Sequence, residues 1–308
     1  MRRIAVLCGG VGAARFLAGL VDVVDAADVT AIVNVADDDE FHGLHVSPDI
    51  DTVLYTLSGV VDEAQGWGRR NDTFHAQEEL TRFGDDAWFR LGDRDLATHI
   101  HRTRLLRGGA SMTDVVDGIR RSLGIGARIL PATDGRQRTM VRTAGGWIGF
   151  QEYFVKRRAA DAVHELRFEP DAAPTAFVRE AIAGADAIVI APSNPFVSIG
   201  PILALAGMRD AIGAARVKTI AVSPIVGGAA IKGPAAAMLA ALGHEVSALG
   251  VARIYADLAG AFVLDETDRA LEPAIRQLGL HTTVAATIMR DAPSRAALAR
   301  VVMAAATT

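Results

Sequence analysis

Cysteine is almost missing from this sequence. Cys8 is the only one in 308 residues, which excludes an intrachain disulfide and any thiolate cluster around zinc or iron and sulfur; on its own it reads as core packing. Long apolar runs are missing as well. No stretch reaches the roughly 18 uncharged apolar residues that a membrane-spanning helix needs, and the run behind Met1-Arg2-Arg3 is too short for a signal peptide. A cytoplasmic protein without membrane contact is expected. There is no surplus of positive charge: 32 Lys and Arg face 36 Asp and Glu, a formal net charge of −4. Nucleic acid and anionic lipid therefore meet no general attraction, and an anionic ligand must be held by local groups. Internal repeats, low-complexity tracts, a Gly-x-Ser-x-Gly elbow and a Ser/His/Asp set are all absent, which argues against solenoids and against acyl transfer.

Apolar residues make up half of the chain, enough for one large core or two modest ones joined by an insertion. Residues 4–7 form a short apolar run that stops at glycines and is followed by helical spacing over residues 13–24. Strand, tight turn and helix are expected. A second strand is expected over residues 29–35, ending in an acidic run, with a helix over residues 51–57. Residues 187–191, 217–222 and 261–264 read as buried strands between Ala-rich helices. The fold class that follows is α/β: a doubly wound, mostly parallel, Rossmann-like sheet built from residues 1–60 and 180–308. Residues 61–179, charged, poor in strand signals and holding Trp67, Trp88 and Trp147, are expected to form a mainly helical insertion that lids the sheet. Ligands of such sheets lie outside the carboxyl ends of the strands, so the loops there carry the chemistry.

The first strand opens into Cys8-Gly9-Gly10-Val11-Gly12-Ala13-Ala14-Arg15. Gly9, Gly10 and Gly12 let backbone approach a phosphate at a helix N-terminus, or simply let helix pack on strand. No Gly-Lys-Ser/Thr follows, so this is not a Walker A loop, and Arg15 stands where the last glycine of a dinucleotide fingerprint would fall. The second strand runs into Asn34-Val35-Ala36-Asp37-Asp38-Asp39-Glu40, and Pro48-Asp49-Ile50-Asp51-Thr52 comes shortly after. Carboxylates on two neighbouring loops suit magnesium, which takes one or two protein oxygens and completes its shell with water and phosphate; a solvated acidic turn with Asp49 capping a helix gives the same pattern. His42 and His45 lack a third ligand at zinc spacing. Pro192-Ser193-Asn194-Pro195 and Ser223-Pro224-Ile225-Val226-Gly227-Gly228 end two further strands, offering hydroxyl, amide and N–H groups to a nucleotide, or ordinary turn chemistry. In the insertion, Gly66-Trp67-Gly68-Arg69-Arg70 and Leu91-Gly92-Asp93-Arg94-Asp95 suit a planar ligand with polar edges or a surface ion-pair network. His99 and His101 fit a solvated helical face equally well.

Taken in order, Gly9-Gly10-Val11-Gly12, Asn34 to Asp38, Ser47-Pro48-Asp49-Ile50-Asp51-Thr52-Val53-Leu54-Tyr55-Thr56-Leu57, Leu91-Gly92-Asp93-Arg94-Asp95-Leu96-Ala97-Thr98-His99 and Ala191-Pro192-Ser193-Asn194-Pro195 resemble the phospholactate transferase family. The likeness runs past Tyr255-Ala256-Asp257-Leu258. It implies transfer of a phosphorylated three-carbon acid (phospholactyl, phosphoenolpyruvyl or phosphoglyceryl) from its guanosine diphosphate conjugate to Fo, a deazaflavin with a ribityl chain, with release of GMP in coenzyme F-420 biosynthesis. It implies Mg2+ held by Asp37, Asp49 and Asp51, with Asp37 and Asp51 as the catalytic carboxylates and Asp51, Gly92, Asp93 and Arg94 facing Fo. Gly9, Gly10, Gly12, Ser193, Asn194, Pro195 and Ser223 would meet the nucleotide and its phosphates, and a homodimer is expected. Asp51 would either orient and deprotonate the ribityl hydroxyl or ligate the metal. Asp39-Glu40 departs from the family, where a more apolar or aromatic pair is usual.

Two other functions share part of this pattern. A nicotinamide-dependent oxidoreductase would use the glycine turn and an acidic residue after the second strand, but the third glycine is missing and the carboxylate pair has no use there. A non-catalytic regulator binding nucleotide sugars would share the sheet, and the segment from Leu91 to His99 argues for a catalytic member instead. Replacing Asp51 by Asn is expected to abolish transfer with a modest loss of folding stability; a variant with near-full turnover would remove Asp51 from the mechanism.

Overall fold

The computed structural model describes residues 3–306. The chain opens with β1 (Ile4–Cys8), α1 (Gly10–Val21) and β2 (Val29–Val33), followed by a hairpin, β3 (Asp39–Phe41) and β4 (Leu44–Val46), and by α2 (Pro48–Leu57). Three helices, α3 (His75–Arg82), α4 (Asp93–Arg107) and α5 (Met112–Ser122), lead to β5 (Arg128–Pro131). A small sheet, β6 (Arg138–Thr143), β7 (Gly146–Gly149) and β8 (Glu165–Glu169), precedes α6 (Ala176–Gly184) and β9 (Ala187–Ile190). Then come α7 (Gly200–Ala204), α8 (Met208–Ala214), β10 (Thr219–Val222), a short hairpin of β11 (Ile225–Val226) and β12 (Ala229–Ala230), α9 (Ala235–Ala241) and α10 (Ala248–Tyr255). The chain closes with β13 (Ala261–Asp265), α11 (Glu272–Arg276), β14 (His281–Ala285) and α12 (Ala292–Ala305). No single helix among the described residues is long and apolar enough to cross a membrane.

Seven strands form one parallel sheet in the order β14-β13-β10-β9-β1-β2-β5. Because successive side chains on a strand point to opposite faces, Ile4, Val6 and Cys8 face one layer while Ala5 and Leu7 face the other. The first layer is α1, α2, α5 and α12, through Phe16, Leu17, Ile50, Val53, Val116, Leu298 and Val302. The second is α6, α7, α8 and α10, through Val178, Ile182, Ile202, Met208, Ile212 and Val251. Burial on both faces is why the central strands read as unbroken apolar runs. The α/β, doubly wound class is what the sequence predicts.

The differences lie at the margins. Pro48 sits in the first turn of α2, where its missing N–H costs nothing, so that helix starts ahead of residue 51. The two edge strands were silent in the sequence. β14 reads His-Thr-Thr-Val-Ala, polar enough for an edge, while β5, Arg-Ile-Leu-Pro, is only four residues long and ends in a proline, which an edge tolerates. β5 falls between residues 61 and 179, so that segment, expected as a lid, also contributes to the main sheet. The same segment is less helical than expected: β7-β6-β8 is an antiparallel sheet whose buried positions include Thr139 and Thr143, which mute the apolar alternation.

Helices α1 and α12 cross closely at Gly19, where an added Cβ would lie 2.8 Å from Arg295 Cβ and closer still to the Arg295 carbonyl. Gly19→Ala should therefore lower stability by about 1–3 kcal/mol in denaturant titration; an unchanged midpoint would mean that the helices can move apart freely.

Candidate functional site

The chain leaves β1 for β2 on one side and returns to β9 on the other, so the loops after β1 and β9 part company at neighbouring strand ends. That crevice is where an open α/β sheet binds ligands. Its glycines are sterically required. A Cβ on Gly9 would lie 2.6 Å from Asp49 Oδ2, 3.0 Å from Ser198 Cβ and 3.2 Å from Asn34 Cβ, and one on Gly12 would run into the Pro192 carbonyl. Gly10 has φ +73, a left-handed backbone that suits glycine. The N-cap Gly9 offers α1 no side-chain cap, and the first-turn Gly10 N–H donates instead to Asp49 Oδ1 at 2.8 Å.

Asp49 is buried in the first turn of α2 and also accepts from Asn34 Nδ2 at 3.0 Å; the same amide donates to the Val197 carbonyl at 3.2 Å. Asn34 thus ties the ends of β2, α2 and the β9 loop together. Burial lifts the Asp49 carboxyl from an ordinary 3.8 to about 6 although Asn34 and Gly10 donate to it. Asp37 is buried beside it and pushed well above the usual range, first by desolvation and then by Asp49. Its Oδ1 is buried without a hydrogen-bond partner, and the charges acting on it, Asp49 and Asp38, are both negative. Asp38 is better served: Ser47 Oγ donates to it at 2.7 Å and His45 Nε2 lies at 3.0 Å.

The third predicted carboxylate is elsewhere. Asp51, also on α2, is gripped by both terminal nitrogens of Arg102, with Nη1 to Oδ2 at 3.0 Å and Nη2 to Oδ1. Arg102 is fully buried and held firmly charged by Asp51 despite the desolvation that opposes it. His99 stands 3.7 Å from Asp51 and 3.3 Å from Asp95, and Tyr55 donates to Asp95 at 2.6 Å. Asp95, His99 and Arg102 recur at helical spacing, so the face of α4 that packs inward is its polar one. His99 is buried, against the alternative of a solvated face. The residues that sequence reading missed are Asp95 and Arg102, whose spacing from His99 was the available signal.

Two places could hold a divalent cation. Asp51, Asp95 and His99 bring ligand atoms within 4.8 Å of one another, but there Arg102 already supplies positive charge. Asp37 and Asp49 have oxygen donors alone and no cation of their own among the described residues, the better match to a hard ion; an orphaned buried atom is found in both places, Asp37 Oδ1 here and His99 Nε2 there. The predicted trio Asp37, Asp49 and Asp51 is therefore not one cluster: Asp51 belongs to the Arg102 network.

The remaining predicted residues serve their loops. Asp93 accepts from Thr73 Oγ1 at 2.6 Å and from the N–H groups of His75 and Ala76, capping α3, while Asp72 accepts from the N–H groups of Arg94 and Asp95, capping α4. Gly92 leaves room for the Asp72 carboxylate. Arg94 keeps an exposed side chain with no ion pair among the described residues. Ser193 Oγ donates to the Gly9 carbonyl at 2.9 Å, Asn194 Oδ1 accepts from the Phe196 N–H beyond Pro195, and Ser223 Oγ bonds the backbone of Ile225. These side chains shape the loops and leave backbone groups for a ligand. An open cleft of about 530 Å3 between residues 133–136 and 170–177 is lined by none of the predicted site residues.

Residues 4–296 match the family model described as 2-phospho-L-lactate transferase CofD. The chain is 45% identical to the phosphoenolpyruvate transferase of Streptomyces griseus over 97% of this chain and 96% of that one. It is 40% identical to the 2-phospho-L-lactate transferase of Methanosarcina mazei, covering 97% of this chain and 98% of the other. A solved structure from Bacillus halodurans, described as a member of the UPF0052 family, shares the fold with a TM-score of 0.64 at 18% identity, over 98% of both chains.

Breaking the buried ion pair from either side strands a charge, so Arg102→Met and Asp51→Asn should each cost about 3–5 kcal/mol in denaturant titration, more than the modest loss the sequence suggested for Asp51. A loss near zero would mean that water reaches the pair. Asp49 sets a pH dependence. Its folded pKa is raised, so the stability it contributes is full below 3.8 and is lost as pH rises through about 6. In metal-free buffer Asp49→Asn should flatten the stability profile between those limits; an unchanged slope would assign it to other groups.

Proposed function

The chain belongs to the 2-phospho-L-lactate transferase CofD family and is a transferase, and from that premise we propose that it moves a phosphorylated three-carbon acid from its guanosine diphosphate conjugate to the terminal ribityl hydroxyl of the deazaflavin Fo, releasing GMP in coenzyme F-420 biosynthesis. The observation that carries this reading is the buried, uncompensated pair Asp37 and Asp49 set against the Gly9 to Gly12 turn. Two neighbouring carboxylates repel a bare diphosphate; Asp37 and Asp49 would hold Mg2+, which when bound would make the pocket attract a diphosphate and draw charge from its phosphoryl oxygens.

In this reading the hydroxyl oxygen bonds to the phosphorus that carries the acid, the bridging P–O bond breaks, GMP leaves with the electron pair, and the hydroxyl proton is released to solvent. Such a reaction needs positioning and charge stabilisation and no covalent enzyme intermediate. The α1 N–H groups and the backbone of the loops at Ser193, Asn194, Pro195 and Ser223 would hold phosphates and guanosine. Asp51 would orient the acceptor hydroxyl, since both terminal nitrogens of Arg102 grip its carboxylate, and the exposed Arg94 would meet Fo at the end of α4. Residues 61–92 and 138–169 would cover the deazaflavin.

The test mixes the protein, Fo, Mg2+ and each of the three conjugates (phospholactyl, phosphoenolpyruvyl, phosphoglyceryl) separately, following deazaflavin product by fluorescence and mass and GMP by chromatography. Product of the added mass with equimolar GMP is expected, and the productive conjugate names the donor. If Fo neither binds nor reacts with any conjugate, the assignment fails.

A further inference from the structure

Beside the glycine turn, three segments meet at the outer flank of α1. Gly66 is seated on Val11, where a Cβ would lie 2.7 Å from Val11 Cγ1 and 3.1 Å from Lys232 Nζ. Lys232 Nζ donates to the Gln65 carbonyl at 3.0 Å, and Arg15 Nη2 donates weakly to the Glu63 carbonyl at 3.4 Å. Two cations thus converge on neighbouring carbonyls of one loop. Neither has a carboxylate partner among the described residues. The obvious candidate, Glu63, is turned away, its carboxylate 3.5 Å from Arg295 Nη1. Arg295 is largely buried and its Nε has no hydrogen-bond partner, and the carboxylates of this flank are already engaged, Glu63 and Asp291 with Arg295 and Asp62 with its own loop. Burial and the Arg15 charge both push the Lys232 ammonium below its ordinary value, as expected where like charges are crowded without an anion.

The loop is built to stay in place. Asp62 accepts from the N–H groups of Ala64 and Gln65 and from the Gln65 side chain, and Val61 bridges to Arg69. Arg15 follows Val11 by four residues, and a helical side chain leans back toward the N-terminus of its helix. Arg15 thus stands one helical turn from Val11 of the glycine turn, the residue against which Gly66 packs.

We propose that Arg15 and Lys232, gathered by the loop of residues 62–66, form a subsite for the carboxylate of the transferred acid. This rests on the transferase reading above. A diphosphate held at the glycine turn carries its guanosine at one end and the acid at the other, and the acid adds one negative charge that Asp37 and Asp49 would repel. A guanidinium fork beside an ammonium meets a planar carboxylate well.

Calorimetry in Mg2+ buffer separates this subsite from the phosphate cradle. Wild type should bind the phosphoenolpyruvyl conjugate of guanosine diphosphate more tightly than it binds GDP. Arg15→Gln with Lys232→Gln should weaken the conjugate by about 10- to 100-fold and GDP by less than about twofold, with an unchanged thermal midpoint, and Arg15→Lys should restore part of the loss. Equal losses for both ligands would move the two cations to the phosphates, and an unchanged Kd for the conjugate, or no preference of wild type for it, would overturn the subsite. Because binding is read without Fo, a missing product in the transfer assay is a separate result that speaks to the reaction alone.

Discussion

One carboxylate organises the strand ends. Asp49 takes a hydrogen bond from the backbone of the first loop at Gly10 and another from Asn34 at the end of β2, while Asn34 reaches on to Val197 beyond β9. The space it fills leaves no room for a side chain at Gly9. Moving Asp49 would therefore disturb both sides of the switch point. Its cost is electrostatic, since a buried carboxylate with one amide and one N–H as partners is only partly compensated, and the neighbouring Asp38 raises that cost further. A site that stores such repulsion favours whatever cation and phosphate can relieve it.

The neighbouring network follows the opposite logic. Asp51, Asp95, His99, Tyr55 and Arg102 are nearly all buried, yet each is met by an opposite charge or a hydrogen bond within the group. Two residues apart on α2, Asp49 and Asp51 thus belong to different electrostatic worlds: one faces the glycine turn without a counter-charge, the other is held by a guanidinium from α4. The division gives one helix a responsive carboxylate and a fixed one.

Much of this was legible in the sequence, and the limits have physical causes. The central strands announce themselves because both of their faces are buried, whereas β14 is a partly exposed edge with polar residues and β5 an edge of only four residues, and both stay silent. The glycine turn, Asn34, Asp37 and Asp49 stood out as candidates because small, amide and acidic residues gather there at the strand ends where such sheets bind ligands. Arg102 did not, because a basic residue on a helix with a polar face looks like solvent exposure; only the packing of α4 against β4 and α2 reverses that face. Asp93 and Ser193 were placed in the right region with the wrong employment: each spends its side chain on a neighbouring loop or helix end, something no local pattern discloses.

The exchange of caps between α3 and α4 ties the stability of two segments that look independent in the sequence. Asp93 belongs to α4 and satisfies the start of α3; Asp72 precedes α3 and satisfies the start of α4. Neither first turn can fray without stranding N–H groups in the other, so the two helix starts open as one cooperative unit. Arg94 rides on that unit. Its backbone is therefore held by Asp72 and Asp93, whose carboxylates are spent on helix ends.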